Sequence, residues 1–401
     1  MHILIIEIAL TGHHSIYLEK ITELYLEQEG VVTVVVSFKE KEHPVLTRLS
    51  EQFCERFNVI LLNETDCLQA MQSKIGDVGR EINAWRVFQK TCKTINANKK
   101  VALVLLPYAD YCLNAIGLLG SPFGDIAWSG ICMRPTFHFK ACGVIAPTPA
   151  ILHVKRLLFM RLLHIKTLKN LFTIDELLAG YIHDVQPTLA DKLTYLPDPA
   201  EPALTFVTAE LRQRYNIPKN AKVILIYGAI DERKGIFNLL DTLEACPELE
   251  DWHTLVVGRQ SKSVREKFTT TRWHKLMQTN RIHVMDEFVS DIVEHHVLAM
   301  CDVVWVAYIG HYVMSGVIVR AGMYCKPVIA CDEGLIGWYA QRKKVGVAIC
   351  PNKSMKIEDA LKLFGNAEMC KKIGANSYKI FSDNSWLKFN KTLINDCINN
   401  Y

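Results

Sequence analysis

The chain has 401 residues, half of them apolar and 22% charged, with a formal net charge of +4. This is ordinary globular composition, too weakly basic to argue for nucleic acid, and no apolar run approaches the roughly 20 residues that span a bilayer. The length exceeds what one hydrophobic core ordinarily serves, so two domains of about 200 residues each are expected.

The opening MHILIIEIAL carries Glu7 and lacks both a basic leader and a small-residue cleavage site, so it reads as a first strand, not a signal peptide. Thirteen cysteines, with no Cys-x-x-Cys pair, point to reduced thiols in a cytoplasmic protein and away from zinc. Ile3 to Ile8 forms the strand, Thr11-Gly12-His13-His14 the turn, and Ser15 to Gln28 a helix on the spacing of Ile16, Leu18, Ile21, Leu24 and Leu26. A strand feeding a Gly-containing turn and a helix is the first half of a nucleotide-fold unit, with ligands at the carboxyl ends of the strands. No Gly-x-Gly-x-x-Gly and no P-loop occurs. The paired histidines are either solvated or ligand-facing.

Val31 to Ser37, Asn58 to Asn63 and Val101 to Pro107 read as further strands, and Ala70 to Ala97 as a helix with Ile75, Val78, Ile82, Trp85 and Phe88 on its apolar positions. Asp110, just past the fourth strand, is either a helix cap or a ligand-facing carboxylate at the functional edge of the sheet. Ser121 to Phe139 is loop and strand, with Arg134 and His138 as polar islands. Ile151 to Asn170 is a basic amphipathic segment in which Lys155, Arg156, Arg161, Lys166 and Lys169 meet no acid. It suits either an anionic leaflet or an ordinary surface helix with snorkelling cations. Leu171 to Ile174 is a short strand, and Pro197, Pro199 and Pro202 make a stiff linker.

After a helix around Thr208 to Tyr215, the strand Lys222 to Tyr227 enters the turn Gly228 to Gly235. Arg233 and Lys234 at a strand-to-helix turn suit a diphosphate, although Asp231 and Glu232 also allow a plain solvated turn. Thr254 to Gly258 and Ile282 to Met285 are strands, Asp286 to Ser290 a loop, and Ile292 to Met300 a helix. From Cys301 to Gly337 come the apolar strand Val303 to Ala307, a break at Gly310, an N-cap at Ser315 and a helix from Val317 to Tyr324. Lys326-Pro327 stops that helix before the strand Val328 to Ala330 and a Gly-punctuated loop. Unpaired N–H groups beside the bare Gly316 can receive an anion, or the unit is simply a tightly packed βαβ. Val345 to Cys350 is the last strand and Trp386 to Asn399 a final helix.

The stretch Cys301 to Gly337 resembles the donor-binding signature of GT-B glycosyltransferases, specifically the large retaining glycosyl transferases group 1 family. The match is a Gly-containing loop, a short helix, Lys-Pro-Val-Ile and a second Gly loop. Lys234-Gly235 also matches, whereas the family's Gly-Arg reads Gly228-Ala229, and its two Glu residues fall on Tyr312 and Arg320. The resemblance implies an α/β GT-B fold, two Rossmann-like domains facing across a cleft. Residues 1–197 would bind acceptor and 198–385 the donor, with 386–401 crossing back to the first domain. It implies transfer of a sugar, with retention, from a nucleotide diphosphate-sugar to a glycan or glycolipid, in cell-surface polysaccharide or glycolipid synthesis. The place would be the cytoplasm, at the inner membrane face if 151–170 docks there.

On this reading Arg233, Lys234 and His13 are catalytic. Gly12, Gly228, Gly258, Phe288, Val289, Ser315, Gly316, Val317, Arg320 and Glu333 bind donor, and His14, Asp110, Arg134 and His138 bind acceptor. No Asp-x-Asp occurs, so no metal or other cofactor is expected. Arg320 is expected to meet the nucleotide or pair with Glu333. Loss of both Glu positions keeps open a catalytically silent GT-B protein that binds a glycan or a partner enzyme, and a sugar-nucleotide epimerase also fits the fold.

Overall fold

The computed structural model describes residues 1–73, 76–350 and 354–397; Ile75 and Asn399 lie outside the described residues. The chain divides into two compact units. The first comprises Met1–Cys142, Thr148–Pro197 and Leu387–Tyr401, and the second Gly143–Pro147 and Asp198–Trp386.

The first unit holds seven strands: β1 His2–Ile6, β2 Val31–Ser37, β3 Phe57–Leu62, β4 Leu103–Leu106, β5 Ala127–Cys132, β6 Leu168–Thr173 and β7 Leu193–Tyr195. Their order is β3-β2-β1-β4-β5-β6-β7, every pairing parallel. The second unit holds β8 Lys222–Tyr227, β9 Trp252–Val257, β10 Ile282–Met285, β11 Val303–Val306, β12 Val328–Cys331 and β13 Gly346–Ile349. These run β10-β9-β8-β11-β12-β13, again all parallel. Parallel sheets are covered on both faces, which is why central strands such as Ile3-Leu4-Ile5-Ile6 and Val303-Val304-Trp305-Val306 are unbroken apolar runs with no exposure. The edge strands β3 and β10 carry exposed positions instead.

Each sheet reverses its strand order once, between β1 and β4 and between β8 and β11. Connections leave in opposite directions there, opening a crevice at the carboxyl ends of the two strands. In the second unit the backbone closes tightly around that point. Gly258, at φ +128°, has the Gly228 carbonyl oxygen 2.0 Å from where a Cβ would stand, and Gly235, at φ +66°, has that of Ala307 at 2.6 Å. Neither position tolerates a side chain.

Two helices differ from their sequence reading. The basic segment is helical only over Ile151–Leu163; Lys169 belongs to β6, which pairs with β5 and β7. The helix expected over Ala70 to Ala97 is two, Glu64–Met71 and Gly76–Asn98. The last helix, Trp386–Cys397, packs Phe389 edge-on against Tyr17 of the first unit, ring centroids 5.2 Å apart. No helix among the described residues is long and apolar enough to cross a membrane.

Candidate functional site

In the second unit the turn after β8 is pinned by β11. Trp305 Nε1 donates to the Lys234 carbonyl at 2.7 Å and the Ile309 N–H to that of Arg233 at 2.7 Å. The Lys234 ammonium is thereby held at the switch point, donating to the Tyr227 carbonyl at 3.0 Å and to Tyr308 Oη at 2.8 Å, and standing 4.0 Å from the Tyr308 ring centroid. A Cβ on Gly228 would come within 3.6 Å of it. An ammonium has three N–H donors, so one is left for an incoming anion. Arg233 is exposed and turned back on Asp231, donating from Nε at 3.0 Å and from Nη2 at 2.6 Å. The second expected cation is therefore already paired.

Ser315 caps the helix Gly316–Met323 by accepting from Val317 N–H at 3.4 Å, and Val317 is buried. Beside this N-terminus, an Asp198 carboxylate oxygen lies 3.3 Å from where a Cβ on Gly316 would stand. Asp198 is held there because Asn384 Nδ2 donates to its carbonyl at 2.8 Å and Ala200 N–H donates to the Asn384 carbonyl at 2.9 Å. Lys234, with its ammonium fixed at the switch point, is the clearest anion contact of this unit. Arg320 does not reach Glu333. Its Nε pairs with Glu294 at 2.8 Å, while Tyr227 Oη donates to the other Glu294 oxygen. Glu333 is exposed, Phe288 is 90% exposed and Val289 half-buried.

The first unit has a cavity of about 410 Å³ at its switch point, lined by Thr11 and His14 after β1, Tyr108, Asp110 and Tyr111 after β4, and Arg134, Arg80 and Lys155 among others. Beneath it Glu7 is fully buried, accepts from Tyr111 Oη at 2.9 Å, and lies 3.2 Å from His14 Nδ1. Burial raises the Glu7 carboxyl above its ordinary range, and His14 partly offsets this. His13 is exposed and stacks on His14, centroids 4.4 Å apart; Gly12, at φ +60°, is exposed as well.

Asp110 is committed to structure. Its oxygens accept from Met133 N–H at 2.7 Å and Arg134 N–H at 3.2 Å, and burial pushes its carboxyl up to about 6. His138, expected to meet acceptor, is wholly buried with Nε2 2.9 Å from Asp175, whose other oxygen caps the helix Glu176–Val185. It braces the fold and does not line the cavity. Tyr308, Glu294, Glu7 and Lys155 were not singled out for these sites from sequence. Glu7, a carboxylate closing an apolar strand, was the one visible signal among them. Among the described residues no group of three or more His, Cys, Asp or Glu is placed to hold a metal.

Residues 207–380 match the family model described as glycosyl transferases group 1. That match lies within the second unit. No curated protein matches the chain. Among solved structures, Alr3699/HepE of Anabaena in complex with UDP is 16% identical with a TM-score of 0.68, over 98% of this chain and 99% of that one. That protein has also been solved with UDP-glucose. The sucrose-phosphate synthase of Thermosynechococcus elongatus is 14% identical at TM-score 0.68, over 98% and 97%. WaaG, a glycosyltransferase involved in lipopolysaccharide biosynthesis, is 14% identical at TM-score 0.62, over 98% of each chain. These likenesses give the chain the GT-B fold.

Proposed function

We propose that this protein transfers a sugar from a nucleoside diphosphate sugar to a glycan or glycolipid acceptor. The observation that carries the reading is Lys234, fixed by Tyr227 and Tyr308 at the switch point with one N–H unused. The leaving diphosphate gains negative charge as the glycosidic bond breaks, and a preorganised ammonium stabilises that charge without reorganising. The complexes of Alr3699/HepE with UDP and UDP-glucose support a uridine donor. The cavity of the first unit, with His14 beside Glu7, is the acceptor side of this proposal. Retention of configuration and a role in surface glycan or glycolipid synthesis follow from the resemblance alone.

Contact with an anionic leaflet belongs to the same proposal. It is supported by exposed Ile151, Val154 and Leu157 on the helix Ile151–Leu163, and by Leu118 and Leu119 on the adjoining helix Leu113–Leu119.

A silent relative is the second reading, favoured by the Arg320–Glu294 pair and by Asp198 beside the donor helix. Incubation with a panel of nucleotide sugars, followed by detection of released nucleoside diphosphate, separates the two. Release lost in Lys234→Ala with the fold intact supports transfer. Absence of both release and nucleotide binding leaves the silent reading standing.

A further inference from the structure

The cavity of the first unit mixes both signs of charge, and its carboxylates are hydrogen-bonded or ion-paired to groups other than the Arg134 and Lys155 side chains. Asp77 pairs with Arg80 at 3.3 Å. Glu81 accepts from Asn114 N–H and Asn114 Nδ2, each at 2.7 Å, and from Ala115 N–H at 3.3 Å, closing the start of the helix Leu113–Leu119. Asp110 holds two backbone N–H groups of the loop after β5. What remains is the Arg134 guanidinium, 5.7 Å from the Tyr108 ring centroid and electrostatically coupled to Asp110, and the Lys155 ammonium, coupled in the same way to Glu81. Neither has a hydrogen-bond or ion-pair partner for its side-chain nitrogens among the described residues. Lys155 also differs from its helix neighbours: Arg156 and Arg161 are exposed, whereas Lys155 is half-buried and lines the cavity.

We propose that this cavity binds an anionic group, a phosphate or carboxylate borne by the acceptor, between Arg134 and Lys155. The inference rests on the reading of this cavity as the acceptor side. Two unpaired cations lining one volume gain most from a shared anion, and the guanidinium fork matches phosphate and carboxylate oxygens in pairs. A volume of about 410 Å³ lies within the range of small-molecule sites. His14 and Tyr108, packed edge to face at 4.7 Å, supply an aromatic wall for a sugar ring.

The test is calorimetric titration of the whole chain with glucose 6-phosphate, glucuronate and glucose, and of vesicles of phosphatidylglycerol, for wild type, Arg134→Gln and Lys155→Gln. The two charged sugars are expected to bind and glucose not to. Each substitution should weaken the charged sugars about 10-fold or more, while Arg134→Lys, which keeps the charge and loses the fork, should weaken them less. Sensitivity of the sugars to both substitutions with vesicles unaffected assigns the group to a soluble glycan; sensitivity of the vesicles to both assigns it to a lipid headgroup. Charged sugars and vesicles alike insensitive to both substitutions, in variants that unfold at the wild-type temperature, would overturn the proposal. The transferase reading is scored separately. Arg134-dependent binding with no sugar transfer leaves the anion site and removes the enzyme. Transfer to anionic acceptors, undiminished in both Arg134→Gln and Lys155→Gln, leaves the enzyme and removes the anion site.

Discussion

Arg320 and Glu294 meet at 2.8 Å, and Tyr227 donates to the carboxylate oxygen that Arg320 leaves free. The three residues come from the helix Gly316–Met323, the helix Asp291–Met300 and the last position of β8. A cation therefore stands where the family pattern has a carboxylate, and a carboxylate from a neighbouring helix neutralises it. Arg320→Ala should cost about 1–3 kcal/mol, because it leaves a mostly buried carboxylate with one donor. Arg320→Glu should cost more, by setting two carboxylates together. Urea unfolding of Arg320→Ala, Glu294→Gln and the double variant should give a coupling of about 0.5–3 kcal/mol. Additive losses would show the pair contributes nothing.

Lys234 offers a sharper reading of the donor side. Removing its ammonium in Lys234→Ala should weaken nucleoside diphosphate binding by about 1.5–3 kcal/mol, the range for hydrogen bonds to charged groups. Tyr308→Phe removes only the hydroxyl that orients the ammonium at 2.8 Å and should cost about 0.5–1.5 kcal/mol. Calorimetry with UDP checks both, and unchanged affinity in Lys234→Ala would place the diphosphate elsewhere.

Much of this arrangement is readable in the chain. The apolar runs announce the parallel strands, and Gly228 to Gly235 announces a turn with Lys234 near its end. What is not readable is pairing across distance. Glu7 and Tyr111 lie 104 positions apart and Glu294 and Arg320 come from different helices, so no local spacing reports them. His138 stands out as a polar island, but its buried partner Asp175 lies 37 positions on. The segment after Leu163 keeps its helical pattern without Pro or Gly, yet its chain is drawn into β6 by pairing with β5 and β7; sheet contacts override local propensity there.

Asp110 gives the pH dependence a definite sign. Its carboxyl rises from 3.8 to about 6 on folding, chiefly through burial, so the native state holds this proton more tightly than the unfolded chain. Its contribution to stability is fully present below about pH 4 and is lost as pH rises through about 6. At 1.36 kcal/mol per pKa unit the swing is about 3 kcal/mol. Denaturation midpoints of wild type and Asp110→Asn should therefore separate between pH 4 and 6, wild type gaining on the variant as pH falls. Parallel curves through that window would show that Asp110 does not carry the proton.

The apolar face beside the cavity makes the last prediction. Leu157 is 66% exposed, Val154 48%, Ile151 46%, and on the adjoining helix Leu118 45% and Leu119 48%, with Arg156 and Arg161 exposed on the same helix as Leu157. Apolar side chains in water next to cations suit the boundary of an anionic leaflet, where the chains enter the acyl region and the cations stay among headgroups. Binding to phosphatidylglycerol vesicles should exceed binding to phosphatidylcholine, and should weaken between 0.1 M and 1 M salt as the Debye length falls from about 10 Å to 3 Å. Arg156→Gln and Arg161→Gln should each remove about 1 kcal/mol. Leu157→Ser should remove up to about 1.5–3 kcal/mol, the value of burying one large aliphatic side chain, and this loss should persist at high salt. Salt separates the two contributions, because screening weakens the cations and leaves apolar burial intact. Equal sedimentation with neutral and acidic vesicles, or vesicle binding untouched by Leu157→Ser, would show that this face does not meet a membrane.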